Sequence, residues 1–142
     1  MDNEMIFSVA SGIAMLGWVL LIALPKPWRF RIPLAGVVTI LALFYAVLVI
    51  PTLGEIDFMD FNTLAGVMNL MGSEEAMLVG WIHYLTFDLL AGCLIARDAD
   101  RIGLSRWLIL PALFFTFMLG PIGWVLYLIM RVLARRNLLV GE

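Results

Sequence analysis

Two ionisable residues, His83 and Asp88, lie inside an apolar stretch of the chain that runs from Ala76 to Ala96. In a hydrocarbon environment an uncompensated ionisable side chain is costly, so such residues usually bind a ligand, pair with a partner or transfer protons. Imidazole and carboxyl groups are also the commonest general acids and bases. The residue types therefore predict acid–base catalysis, with His83 and Asp88 as the catalytic residues.

The spacing of these residues on one helix limits how they act together. At about 100° per residue, the five positions between His83 and Asp88 separate them by roughly 140° around the helix. We therefore expect other helices to close a common pocket around both side chains, with Tyr45 and Tyr127 as further hydrogen-bond donors. A structural histidine and a carboxylate paired with an arginine are the alternatives. The predicted substrate-binding residues, which share or flank these faces, are Trp81, Tyr84, Glu74 and Asp98.

The composition indicates which elements position these residues. Of the 142 residues, 63% are hydrophobic and 14% are charged, and the mean hydropathy is +1.03. A soluble domain is about half apolar and about a quarter charged, so the composition excludes a soluble globular domain and a disordered chain. The net charge of −2 argues against a nucleic-acid partner, and a lone Cys93 excludes an intrachain disulfide. The sequence predicts a small integral membrane protein.

Four apolar runs are each close to the roughly 20 residues that a transmembrane helix needs. They cover residues 5–24, 33–50, 76–96 and 107–130, and predict an all-α, single-domain membrane protein with four transmembrane helices. Pro111 and the Gly-Pro-Ile-Gly sequence at 120–123 interrupt the last run. We expect a single kinked span there, in preference to a re-entrant pair of half-helices. The first run follows acidic residues, which favours a permanent span over a cleaved signal peptide.

The loop between the second and third runs, residues 52–75, contains its own apolar pattern. Leu64, Val67, Met68 and Met71 are spaced as on one face of a helix. We expect a short amphipathic helix at about 62–71, with Asn62 as its N-cap. Ser73 is the predicted N-cap of the third span.

The distribution of cations predicts the orientation. Six lysines and arginines lie in the first and third loops, and residues 52–75 contain none. The positive-inside rule places the basic loops in the cytoplasm, so that four spans leave both termini outside. Arg131, Arg135 and Arg136 oppose this arrangement, and a re-entrant last segment would remove the conflict.

Several motifs in the second half of the chain carry a resemblance to a known family. They are Ser73-Glu74, Trp81-Ile82-His83, Asp88-Leu89, Asp98 and Gly120-Pro121-Ile122-Gly123. This pattern, within residues 64–130, resembles the abscisic-acid-deficient-four-like family. Plant members of that family are chloroplast membrane proteins required for neoxanthin synthesis.

The resemblance implies a carotenoid or related isoprenoid substrate. In the plant reaction the epoxide of violaxanthin is opened to an allenic alcohol, an isomerisation that needs an acid and a base and no cofactor. This chain has no serine-rich transit peptide, so we expect a bacterial relative in the inner membrane. The preferred interpretation is a carotenoid-modifying isomerase, and the chemistry assigned to His83 and Asp88 fits it.

Other functions remain open at this point. A carotenoid oxygenase or cleavage enzyme would use iron bound partly by His83, with Asp88 and Glu74 as the remaining metal ligands considered. A non-enzymatic carotenoid-binding protein would use Trp81 and Tyr84, and a small transporter would use the intramembrane acid. We also expect a homodimer, because four short spans enclose little volume and the small residues Ala91, Gly92 and Ala96 allow close helix contact.

Overall fold

The computed structural model describes residues 2–54 and 56–135. These residues form helices joined by turns, and no β-strand occurs among them. The helices are α1 (Asn3–Ala23), α2 (Trp28–Thr52), α3 (Leu64–Leu70), α4 (Glu74–Arg101), α5 (Arg106–Leu119) and α6 (Pro121–Arg135). Within the described chain, α1, α2 and α4 are long and apolar enough to cross a membrane.

The central helix is α4, and glycines allow α1 to approach it closely. A side chain on Gly17 of α1 would overlap Leu89 of α4 and also Val37 of α2. A side chain on Gly92 of α4 would come within 2.6 Å of the Trp18 ring, and Ala96 is completely buried. Gly92 and Ala96 therefore pack inside the chain, so the prediction that they mediate contact between copies is wrong.

The prediction of a single kinked span over residues 107–130 is also wrong. A side chain on Gly123 would overlap Thr116 and Ala112, so α6 runs back along α5 as the second arm of a hairpin. In one continuous helix, Gly123 and Ala112 would be about 16 Å apart. The region instead forms two antiparallel half-length helices, which is the alternative of a re-entrant pair.

The turn of this hairpin follows from two adjacent residues. Gly120 adopts φ +51°, a region that residues with a Cβ atom avoid. Pro121 has no amide hydrogen to donate, and it occupies the first position of α6, where none is needed. Each arm has 14 or 15 residues and measures about 21–23 Å, shorter than the roughly 30 Å of a bilayer core.

A buried ion pair fixes the far end of α6 beside the last turns of α4. The Arg131 Nε donates to Asp98 Oδ2 over 2.7 Å, and the Tyr127 hydroxyl donates to the same oxygen. Arg131 is 1% exposed and Asp98 is 3% exposed, so each compensates the other's burial. Because Arg131 lies beside the end of α4, α6 ends where α5 begins.

Further polar contacts join the loops at this end, which we call the basic end. Asp100 accepts from Arg29 Nε over 2.8 Å and from Lys26 Nζ over 2.8 Å. Arg106 Nη2 donates to the Leu24 carbonyl over 3.2 Å. The first loop, the turn between α4 and α5, and the end of α6 therefore lie together.

The opposite end, which we call the acidic end, contains carboxylates, and no lysine or arginine lies there among the described residues. Asn3 Nδ2 donates to Glu75 Oε1 over 3.3 Å, which joins the start of α1 to the start of α4. The described acidic residues of the first turn of α1, the connecting loop and the first turn of α4 are Asp2, Glu4, Asp57, Asp60, Glu74 and Glu75. Since α1, α2 and α4 each connect the two ends, the charges are segregated along the bundle axis.

The connecting loop contains the short amphipathic helix within the predicted interval. It is α3, and Leu64 and Met68 on its apolar stripe are 78% and 66% exposed. Its N-cap is Thr63, which accepts from the Gly66 amide over 3.0 Å, so the prediction of Asn62 as the cap is wrong by one residue. Ser73 accepts from the Ala76 amide and caps α4 as predicted.

The hairpin predicts that Ala134 lies on the same side of a membrane as the turn before α5. We expect cysteines at Ser105 and Ala134 to react with an impermeant maleimide from one side, and a cysteine at Asn62 from the other. The measurement is labelling of single-cysteine variants in sealed vesicles of known orientation. Cys93 is replaced by serine in every variant. Labelling of the cysteine at position 134 together with that at position 62 would instead indicate four complete crossings.

Candidate functional site

Asp88 lies near the middle of α4 and faces the turn of the α5–α6 hairpin. A Cβ atom on Gly120 would come within 2.7 Å of Asp88 Oδ1, so the missing side chain is what admits the carboxyl group. Asp88 Oδ2 is buried and has no hydrogen-bond partner among the described residues. A buried polar atom without a partner is rare in folded proteins and marks a place where a ligand or proton is expected. The alternative of a carboxylate paired with arginine does not hold in the described chain.

Tyr84, one turn earlier on α4, connects Asp88 to the hairpin. Its hydroxyl donates to the Met118 carbonyl over 3.4 Å and also interacts with the Asp88 carboxyl group. Met118 belongs to the last turn of α5, where carbonyl groups have no partner within their own helix. The broken helix thus provides an acceptor that holds the phenol next to the acid.

A row of stacked aromatic rings leads from Asp88 towards the acidic end. We call Phe7, Trp81 and Tyr84 the aromatic row. The Trp81 ring stacks on Tyr84 at 5.6 Å and on Phe7 of α1 at 5.5 Å between centroids. The Trp81 Nε1 donates to Ser11 Oγ over 3.1 Å, which fixes the orientation of the indole.

A cleft of about 250 Å³ opens beside the outer part of the aromatic row. It lies between α1 and α4, and Glu4 and Glu74 are at its outer edge. Phe7 is 41% exposed and Trp81 is 39% exposed, so ring surface is available to a ligand. The predicted residues Glu74, Trp81, Tyr84 and Asp88 therefore line one face of α4, with Glu74 about 21 Å from Asp88 along the axis.

His83 is not part of this face. Its ring contacts Phe87 at 4.6 Å and Tyr45 of α2 at 5.5 Å between centroids, and its side chain is exposed on the outside of the bundle. None of the described elements closes around both His83 and Asp88, so the prediction of a common pocket is wrong. His83 and Asp88 point in directions about 140° apart around the axis of α4. The hairpin packs against the side of Asp88 and does not reach His83.

Asp98 and Tyr127 lie at the basic end, away from the aromatic row. Asp98 accepts hydrogen bonds from both Tyr127 and Arg131, and these two bonds hold α6 against α4. The prediction that Asp98 binds substrate therefore does not fit its burial, and Tyr127 donates to Asp98 instead of Asp88. Both residues position the hairpin whose turn contacts Asp88.

The proposed metal ligands do not converge either. Across residues 2–54 and 56–135, no group of three or more histidine, cysteine or carboxylate side chains is close enough to hold one ion. Glu74 and Asp88 are separated along α4, and His83 faces another direction. These three residues of one chain do not fit a shared iron.

Other elements contribute residues to the site that the sequence did not identify. Phe7, Ser11 and Met118 carry no intramembrane charge, and Gly120 was identified as part of a helix break and of a family motif, but not as a neighbour of Asp88. One available signal was the Gly120-Pro121 pair, since a residue with positive φ followed by a first-turn proline is typical of a turn. Another was the spacing of four between Gly123, Tyr127 and Arg131, which places a close-contact residue and two polar groups on one face of α6.

Together the fold and the site define a class of protein: a small all-helical chain with long apolar helices, in which a half-length hairpin ends at a carboxyl group on the central helix. The chain belongs to the ABA DEFICIENT 4-like (ABA4-like) family, whose model matches residues 5–127. The match extends from α1 into α6, and so covers the aromatic row and Asp88. No curated protein and no solved structure matches the chain.

The contrast between Asp98 and Asp88 predicts opposite effects of the same isosteric change. Asp98→Asn removes the negative charge from the buried ion pair with Arg131, and breaking such a pair typically costs about 3–5 kcal/mol. Asp88→Asn removes a charge that has no counter-ion among the described residues, so we expect no loss of stability. The measurement is the Tm of each purified variant in one detergent. A Tm for Asp98→Asn equal to that of the unmodified protein would contradict a holding role for the ion pair.

Proposed function

We propose that this protein is a multi-pass enzyme of the bacterial inner membrane that modifies a carotenoid or related isoprenoid. The observation that carries the proposal is a buried carboxyl oxygen of Asp88, which has no hydrogen-bond partner among the residues that the structure describes, at the inner end of the aromatic row, where Phe7 and Trp81 are exposed. Such a site combines a surface for a flat apolar molecule with a group able to transfer protons. Membership of the ABA4-like family supports a carotenoid-related role.

The proposed topology has three complete crossings and a hairpin in place of the fourth span. Under the positive-inside rule, the basic end lies in the cytoplasm, and the acidic end then faces the periplasm. In helix α4, Asp88 comes 14 residues after Glu74 and 13 residues before Arg101. Asp88 and the hairpin turn therefore lie near the middle of the membrane. Water is scarce at this depth and competes little with a ligand for the carboxyl group.

The aromatic row determines how a polyene would be held. Conjugated chains are flat, and flat π surfaces stack or pack edge-on with aromatic rings. Trp81 lies about 10 Å from Asp88 along α4, so a chain lying against Phe7, Trp81 and Tyr84 would reach the carboxyl group with one end. The ligand would enter from the membrane half at the acidic end, because the hairpin occupies the other half.

The chemistry follows from the pairing of Tyr84 with Asp88. For an epoxide-bearing polyene, the Tyr84 hydroxyl gives its proton to the epoxide oxygen, which takes the electron pair of the breaking C–O bond. The Asp88 carboxylate removes a proton from a polyene carbon, and the electron pair of that C–H bond forms the new double bond. A proton returning from Asp88 to Tyr84 restores both groups. The step is an isomerisation and consumes no oxidant or reductant.

A second function, binding without turnover, is favoured by the exposure of the aromatic row. Phe7 and Trp81 would bind a pigment equally well if Asp88 only hydrogen-bonded its end group. The two functions differ in what is recovered from the membrane. A binding protein returns the pigment unchanged, whereas an isomerase returns a product of the same mass with a different retention time.

The substitutions Asp88→Asn and Tyr84→Phe test the proposed chemistry. Removing one positioned acid or base typically lowers the rate about a hundred- to ten-thousand-fold, and we expect each change to do so. The assay is expression in a carotenoid-producing bacterium, followed by chromatography and mass spectrometry of extracted pigments, normalised to membrane protein.

His83→Ala is the matched control on the same helix. Because His83 faces away from the aromatic row, we expect its turnover to stay within several-fold of the unmodified protein. Loss of turnover in His83→Ala with full turnover in Asp88→Asn would reverse the assignment. Unchanged pigments in cells that express the unmodified protein, together with co-purified pigment, would favour binding alone.

A further inference from the structure

His83 and Tyr45 form a polar patch on the outer face of the bundle, on the side away from the aromatic row. Their rings contact each other at 5.5 Å in an edge-on arrangement, and His83 also stacks on Phe87, which is 56% exposed. Neither His83 nor Tyr45 makes a hydrogen bond to any described residue. The patch thus has a phenol donor and an imidazole, which can both donate and accept, and neither has a hydrogen-bond partner within residues 2–54 and 56–135.

The position of the patch in the bundle makes the lack of hydrogen-bond partners for His83 and Tyr45 costly in free energy. His83 lies nine residues after the start of α4, about 13 Å along the helix axis, which is within the hydrocarbon region under the proposed topology. Lipid chains offer no hydrogen bonds there. Histidine side chains at this depth normally bond across helices. The surroundings of the patch on α2 are purely apolar, and the exposed residues there include Leu43 and Val47.

We propose that a second copy of this chain covers the patch, with His83 of each copy hydrogen-bonded to Tyr45 of the other. Most homodimers have two-fold symmetry, in which residue i of one copy meets residue j of the other and the reverse holds as well. His83 and Tyr45 lie at one level of the bundle, because their rings are in contact. A two-fold axis along the membrane normal therefore forms two His83–Tyr45 hydrogen bonds at once, one in each direction between the copies.

The complementarity of the patch favours a copy of the same chain over another occupant. A lipid headgroup does not reach this depth, and an apolar helix would leave both polar groups unpaired. The patch supplies one donor and one acceptor, which is what a self-complementary surface requires. The Phe87 rings extend the contact towards the middle of α4.

The interface leaves the aromatic row open. His83 and Asp88 are separated by roughly 140° around α4, so the second copy contacts a different face from the one that the hairpin and the cleft occupy. Each copy keeps a complete site of its own. The proposal concerns association only and holds whether or not the protein transforms a carotenoid.

The test is the dimer dissociation constant in lipid bilayers, measured by energy transfer between labelled copies at increasing lipid dilution. His83→Phe and Tyr45→Phe keep ring volume and remove the hydrogen bond. Each substitution removes both symmetric bonds, and interhelical bonds of average strength predict weakening of about tenfold. The double variant should be no weaker than either single variant, because both remove the same bonds. Phe114→Leu, at an exposed position of α5, is the control that should leave the constant unchanged.

Cross-linking gives a second readout that does not depend on the two polar residues. With Cys93 replaced by serine, we expect Phe87→Cys to form a disulfide between copies under mild oxidation, and Phe114→Cys to form none. A monomeric unmodified protein at high protein-to-lipid ratio would overturn the proposal. So would equal dissociation constants for the unmodified protein and both phenylalanine variants, or cross-linking through position 114 alone.

Discussion

The buried pair of Asp98 and Arg131 is the interaction on which the rest of the structure depends. An arginine that is 1% exposed in an apolar helix needs a carboxylate next to it, and Arg131 contacts Asp98 at the end of α4. This contact holds the end of α6 at the basic end, which requires a turn after α5. Gly120 and Pro121 provide that turn, and the length of the two arms sets its position opposite Asp88. A contact at one end of the bundle thus places the candidate site at its centre.

The half-length hairpin also explains why the aromatic row is accessible. A fourth complete span would cover α4 from one end to the other, including the surface next to Trp81. Because the hairpin ends at Gly120, only the basic half of that surface is covered. The same break exposes carbonyl groups at the end of α5, and one of them accepts from Tyr84. The break between α5 and α6 in the middle of the bundle therefore leaves the aromatic row accessible. It also orients the Tyr84 hydroxyl and places it close to Asp88.

The sequence predicted the long apolar helices, the loop helix and the Ser73 cap because each depends on local patterns of hydrophobicity and capping. It also identified Glu74, Trp81, Tyr84 and Asp88 as residues of one helix face. It did not predict that His83 is excluded or that Asp98 holds α6. Those outcomes depend on which helix packs against which face of α4, and periodicity within one helix carries no information about its neighbours. The spacing of Gly123, Tyr127 and Arg131 was the one local pattern that indicated how α6 packs against α5 and α4.

The sequence distance between Asp98 and Arg131 has a consequence for biosynthesis. The two residues are 33 positions apart, so Asp98 leaves the ribosome before Arg131 does. Under the proposed topology, the end of α4 then stays in contact with water or with the insertion machinery until Arg131 reaches it, because burying a carboxylate in lipid before its ion pair forms is costly. Arrival of Arg131 neutralises the charge and permits α5 and α6 to settle against α4 as a pair. Docking of the hairpin therefore waits for the synthesis of Arg131, and a chain that ends before Arg131 would lack the contact that holds α6 against α4.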